Sequence, residues 1–74
     1  MDAATEFRSR REAIAGQPAV SLREVARRSG LNPGRLSIIE RGVEPTWAER
    51  VLIDKALGEL ELERAQAILE ASRA

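Results

Sequence analysis

The stretch Ser29-Gly30-Leu31-Asn32-Pro33-Gly34 limits what this chain can fold into more than any other. It interrupts a sequence rich in Ala, Leu, Glu and Arg, residues that favour helices over strands. Gly30 ends a helix most simply by adopting the left-handed conformation, which costs a residue with a side chain about 1 kcal/mol or more. Asn32 is a strong N-cap, and Pro33 suits a first helical turn, where its missing amide proton has no partner to lose. The stretch therefore reads as a tight corner between two helices.

The rest of the chain supplies further helices around that corner. A first helix is expected from about Asp2 to Ala15, on the spacing of Ala3, Ala4, Phe7, Ile14 and Ala15, with Gly16-Gln17-Pro18 as its stop. Ser21 and Glu24 have the spacing of a capping box that opens a second helix, with Leu22, Val25 and Ala26 on one face. The helix launched at Asn32 runs to about Arg41, buries Leu36 and Ile39, and closes at Gly42. Pro45 and a second capping box, Thr46 with Glu49, start a fourth helix through Leu57, with Ala48, Val51, Leu52 and Ala56 inward and Gly58 as its end. A fifth segment, residues 59–73, opens with Glu59, Glu61 and Glu63, whose charges suit a helix N-terminus. Its apolar residues spread over more than one stripe, which leaves a face for a second subunit. No repeat, linker or low-complexity tract interrupts residues 1–74, so the expected fold is a single all-α domain, a compact bundle of about five short helices.

Cys and His are both absent, which excludes thiolate and imidazole metal sites, cysteine nucleophiles and histidine-based triads. Twelve carboxylates remain, but paired acid chemistry needs a cleft to hold and tune them. A chain this short buries only about 60–65% of its unfolded surface, too little for a deep pocket. Neither an enzyme nor a metal or cofactor site is expected. The opening MDAATEFRSRRE lacks a basic stretch followed by an apolar one, and no apolar run approaches the ~20 residues that span a bilayer, so a cytoplasmic protein without membrane contact is expected. Net charge is zero but unevenly placed: eight arginines face three glutamates between Arg8 and Arg41, and from Glu44 onward seven acids face four bases. That asymmetry points to a basic binding face and an acidic remainder.

Two short helices capped at Ser21 and Asn32 and joined through Gly30 have the spacing of a helix-turn-helix, whose second helix enters the DNA major groove. Residues 21–42, SLREVARRSGLNPGRLSIIERG, closely resemble the helix-turn-helix of the Cro/C1-type (XRE) transcriptional regulators, and PTWAERVLIDKAL resembles the helix that follows. The match holds in register at Ser21, Val25, Ala26, Gly30, Leu31, Leu36, Ser37, Ile39, Glu40, Arg41 and Gly42, over about half the chain. It implies a lambda-repressor-like domain that binds double-stranded DNA. Physical roles for several of these residues stand apart from the resemblance. Ala26 is small where two helices cross, Leu31 plugs the angle between them, and Leu36 and Ile39 anchor the second.

After the core residues are removed, Pro33, Gly34, Ser37, Ile38 and Arg41 remain on the outward face of the third helix. The resemblance implies that the start of this helix, from Asn32, and the position of Ile38 meet base edges. Gly34 then permits close backbone approach, Ser37 bonds a base or phosphate, and Ile38 covers a thymine methyl. A place for Ile38 in the core or in an interface is the alternative. Arg35 and Arg41 read as phosphate clamps, joined by Arg23 and by the exposed amides of the helix that Ser21 caps. Arg27 and Arg28 serve equally well as solvated surface. By resemblance Glu40 pairs inward with Arg10 or Arg11. Leu22 stands where the family often has a phosphate-holding glutamine, so that contact falls to backbone amides or Arg23. The short Gly42-Val43-Glu44-Pro45 connection carries an acid, which argues against DNA contacts from that loop. Bases specified mainly by Gly34, Ser37 and Ile38 give few bidentate hydrogen bonds, so selectivity is expected to lean on DNA shape as well. The implied protein is a small phage- or plasmid-type repressor without a small-molecule effector, a homodimer through its C-terminal helix, with Leu60, Leu62, Ile68 and Leu69 at the contact. A protein-interaction module of the antitoxin or accessory kind, and a DNA-bending excision factor, are the alternatives.

Overall fold

The computed structural model describes residues 2–14 and 20–73, and among them the chain forms four helices and no strand. Helix α1 (Ala3–Ala13) starts where Asp2 accepts the Thr5 amide at 2.8 Å, and it buries Ala3, Ala4 and Phe7. Ile14, just past its end, is also buried. Ala15 and the Gly16-Gln17-Pro18 stop lie outside the described residues.

Helix α2 (Leu22–Ser29) begins at Ser21, whose hydroxyl oxygen accepts the Glu24 amide at 3.2 Å. Only this half of the expected capping box forms, because the Glu24 carboxylate is held by Arg27 and Arg28 one turn further on. Gly30 has φ 78°, and its amide donates to the Ala26 carbonyl at 2.9 Å, which closes the helix in the left-handed conformation. The buried Ser29 hydroxyl donates back to Ala26 and accepts the Leu31 amide, so the corner leaves no polar atom of that side chain unpaired. Helix α3 (Pro33–Glu40) then starts at once, with Asn32 accepting the Gly34 amide at 2.7 Å.

Helix α4 (Trp47–Arg73) carries the second capping box in full: Thr46 accepts the Glu49 amide at 3.1 Å, and Glu49 accepts the Thr46 amide at 2.8 Å. It runs 27 residues without a break, so the expected fourth and fifth helices are one and Gly58 does not end anything. A helical glycine costs about 1 kcal/mol relative to alanine. Burial of Leu57 and Leu60 on either side contributes roughly 1.5–3 kcal/mol each, which exceeds it. Arg10 adds a brace across the glycine, 2.5 Å from Asp54 before it and 2.8 Å from Glu61 after it.

The inward side of α4 is Ile53, Ala56, Leu57 and Leu60. Of the expected face only Ala56 is inside; Ala48, Val51 and Leu52 are exposed. Leu60, expected at a subunit contact, belongs to the core. That core joins Phe7, Ile14, Val25, Ala26, Leu36 and Ile39 to the α4 residues, with Val20, Leu22 and Leu31 packed against its edge. Helices α3 and α4 each pack on α1 and α2. Every residue of α4 from Glu61 to Arg73 is exposed, an overhang of about 20 Å that makes the molecule 43 Å long and only 21 by 18 Å across.

Candidate nucleic-acid interface

Helix α3 is fixed to the body by Leu36 and Ile39, both essentially without exposure, and everything else about it follows from that anchoring. Gly34, Ser37, Ile38 and Arg41 recur at three- and four-residue spacing, so they form one stripe on the side away from the anchors. Gly34, Ile38 and Arg41 are exposed and Ser37 is half-buried, with Asn32 and Pro33 exposed at the start of the helix. Ile38 lies outside the buried cluster, with 38% of its surface exposed. A Cβ built on Gly34 meets the Asn32 carboxamide oxygen at 3.0 Å, so the absence of a side chain there protects the cap as well as leaving the backbone open.

The one acid of α3 is turned the other way. Arg11 donates through Nε and Nη2 to the two Glu40 oxygens at 2.8 and 2.9 Å, and a third donation reaches the Val20 carbonyl at 3.0 Å. Side-chain exposure of the pair is only 18% and 11%. Hydrogen bonding to Glu40 raises the Arg11 pKa further above its ordinary value. Arg8 donates to the Glu40 backbone carbonyl, so the C-terminal end of α3 is held from α1 at two points. Of the two partners open to Glu40, the structure selects Arg11; Arg10 goes to α4.

Ion pairing redistributes the rest of the charge. Arg28 bridges Glu24 at 3.0 Å and also Glu63 of α4, and Arg27 pairs with Glu24 at 2.5 Å. Arg35, read from sequence as a phosphate clamp, has Nε and Nη2 on the Glu49 oxygens at 2.7 and 2.8 Å. It ties α3 to the start of α4, and together with the Thr46 amide it lowers the Glu49 pKa to about 2. Five of the eight arginines between Arg8 and Arg41 thus carry an ion pair within the molecule, three of them (Arg10, Arg28 and Arg35) with acids of the acidic half, so the basic face expected from sequence is partly neutralised. Among the described residues, the other three, Arg8 in α1, Arg23 at the start of α2 and Arg41 at the end of α3, have no carboxylate within ion-pair distance, and Arg8 is held by the Glu40 carbonyl. A shallow depression bounded by Arg23, Arg27, Gly30 and Pro33 lies in the angle between the two helices.

Sequence reasoning missed Trp47, the single tryptophan, which opens α4 with 80% of its surface exposed beside Val51. Its position just after Thr46 in a capping box was the available signal, because a first-turn residue has few neighbours to cover it. No helix of the described residues is long and apolar enough to cross a membrane, and no group of three or more acidic side chains among them gathers to hold a metal ion. Comparison with protein-family profiles, with curated proteins and with solved structures found no match to this chain.

Proposed function

We propose that the chain is a sequence-specific DNA-binding regulator in which α2, Gly30 and α3 act as a helix-turn-helix of the Cro/C1 type, with α3 lying in the major groove. One observation carries this reading: the outward side of α3 bears no carboxylate, because Glu40 is turned in and paired with Arg11. A helix presenting Gly34, Ser37, Ile38 and Arg41 can approach a base-pair edge without an uncompensated negative charge. Ser37 supplies a donor and acceptor, Ile38 an apolar contact for a thymine methyl, and Gly34 room for the backbone. Arg41 at one end and Arg23 with the exposed first amides of α2, capped by Ser21, supply phosphate contacts that set the docking angle. The N-terminal side of α3, from Asn32 and Pro33, is the part that enters deepest.

One such unit reads only a few base pairs, so operator recognition calls for two copies, with α3 helices about 34 Å apart on half-sites roughly 10 bp apart. The overhang of α4, with Leu62, Ile68 and Leu69 exposed, is the surface for that pairing. With few bidentate hydrogen bonds available from Ser37, DNA shape supplies part of the selectivity.

Selection of bound sequences from random duplexes tests the reading. A two-fold repeated motif is expected, and Ile38→Ala should relax the preference at one position in each half-site. Recovery of no enriched sequence, or an equal loss of affinity for all sequences with Ile38→Ala, contradicts it.

A further inference from the structure

The face of α4 turned away from the core carries a line of residues at heptad spacing, with Val51, Leu62, Ala65 and Leu69 as its apolar members. Lys55, Leu62 and Leu69 alternate with Val51, Gly58, Ala65 and Ser72 at steps of four and three residues. At 3.6 residues per turn this line runs opposite Ile53, Ala56, Leu57 and Leu60, which face the core. Val51, Leu62 and Leu69 are 46%, 59% and 58% exposed, and nothing lies within 4 Å of a Cβ placed on Gly58.

We propose that this seam is the dimer contact, and that two copies pair antiparallel along α4 with Leu69 seated over the partner's Gly58. The inference rests on the reading that the protein works in pairs and gives that pairing its direction and register. In one antiparallel register Leu62 meets the partner's Ala65 while Leu69 meets the partner's Gly58, and the two-fold axis repeats both contacts. Each large side chain then faces a small one. Gly58 has a use that the monomer does not give it, since within one chain it only weakens the helix.

Charge favours the same arrangement. Parallel pairing sets Lys55 against the partner's Lys55 inside the seam, whereas the antiparallel register sets it beside the partner's Ser72. On one flank Glu59 shares its side with the partner's Arg73, and the two side chains lean toward each other because helical side chains tilt to their own N-terminus. On the other flank, Arg10 offsets one of the two negative charges of Asp54 and Glu61, which reduces their repulsion of their counterparts. The overlap is about 20 residues, roughly 30 Å long and one helix wide. Such a strip buries on the order of 1,000 Å² in total, the lower edge of specific interfaces, which fits a dissociation constant on the order of 10 µM.

Sedimentation equilibrium of the full chain without DNA, combined with thermal unfolding at concentrations where it is monomeric, tests the proposal. Gly58→Gln should raise the monomer Tm by about 2–5 °C, since glutamine is a better helix former than glycine and meets nothing within one chain, and yet weaken self-association at least 10-fold by setting a long polar side chain against the partner's Leu69. Leu69→Ala should weaken it by a similar factor while leaving the monomer Tm within about 2 °C, as expected for an exposed side chain. Residues 58 and 69 lie about 16 Å apart along one helix and cannot touch within a chain. A double variant less impaired than the product of the two single losses therefore reports contact between chains. A protein monomeric at 500 µM, self-association indifferent to Gly58→Gln, or strictly multiplicative losses would each overturn the proposal. Because no DNA is present, any of these results leaves the DNA-binding reading standing, and failure to bind duplex with self-association intact leaves this one.

Discussion

Replacing Glu40 by glutamine keeps the side-chain volume and one accepting oxygen but removes the charge that Arg11 faces. The pair joins α1 to the C-terminal turn of α3 through two hydrogen bonds of 2.8 and 2.9 Å. Removing one member of a fully buried pair costs about 3–5 kcal/mol, because the other charge stays behind without compensation. Here 18% and 11% of the two side chains reach solvent, and Arg11 keeps its bond to the Val20 carbonyl. A loss of about 2 kcal/mol is therefore expected for Glu40→Gln, below the fully buried case and above the ~0–1 kcal/mol of an exposed pair. In a domain of this size that lowers Tm by about 8–16 °C. Thermal and urea unfolding followed by circular dichroism read it directly. Arg11→Met combined with Glu40→Met should be less destabilised than either single variant, since neither charge is then left unpaired. A Glu40→Gln protein within about 0.5 kcal/mol of the parent would refute the reasoning, and with it the claim that α3 is held at the angle that bares its stripe.

Acid should weaken the fold in a defined window. Arg35, and after it the Thr46 amide, lowers the Glu49 pKa from 4.5 to about 2, and arginine partners also lower Glu24, Glu61 and Glu63. Groups with depressed folded values stabilise fully above the ordinary value near 4.5 and lose that contribution as pH falls toward 2, so unfolding midpoints should be flat from pH 7 to 5 and fall below that. A decline already complete above pH 5 contradicts the assignment. Arg35→Ala should lower Tm by releasing α3 from the start of α4, with little change in the salt dependence of DNA binding; an unchanged Tm with a shallower salt dependence restores its role as a phosphate clamp. Gly34→Ala should press on the Asn32 cap, costing up to about 1 kcal/mol, and reduce DNA affinity for every sequence; unchanged stability and affinity would show that neither the cap nor the groove needs the missing side chain.

Local signals in the sequence located the corner well. Ser21, Asn32 and Thr46 each cap the helix that follows, and Gly30 takes the positive φ that only a residue without a Cβ adopts cheaply. Leu36 and Ile39 fill the core as their spacing requires, and Glu40 turns to one of the two arginines open to it. Helix α4 was less legible because apolar residues stand on two of its sides. Ile53, Ala56, Leu57 and Leu60 face the core while Val51, Leu62 and Leu69 face out, so no single stripe announces which side packs. Gly58 gave a stop signal that tertiary contacts override, with Arg10 gripping acids on both sides of it. The charge pattern misled for the same reason: Arg10, Arg28 and Arg35 find acids of α4 far along the chain, and no rule of local spacing counts such pairs before the helices have docked.

The salt dependence of duplex binding tests the central claim most directly. If α3 docks with Arg41 and Arg23 as the phosphate-contacting cations of each copy, a dimer neutralises about four phosphates, and log K should fall against log salt with a slope near −3.6. Arg41→Ala in both copies should reduce the steepness by about 1.8, to a slope near −1.8. A slope several times steeper, as when all the arginines engage DNA, a slope indifferent to Arg41→Ala, or no affinity for any duplex at low ionic strength would contradict the account.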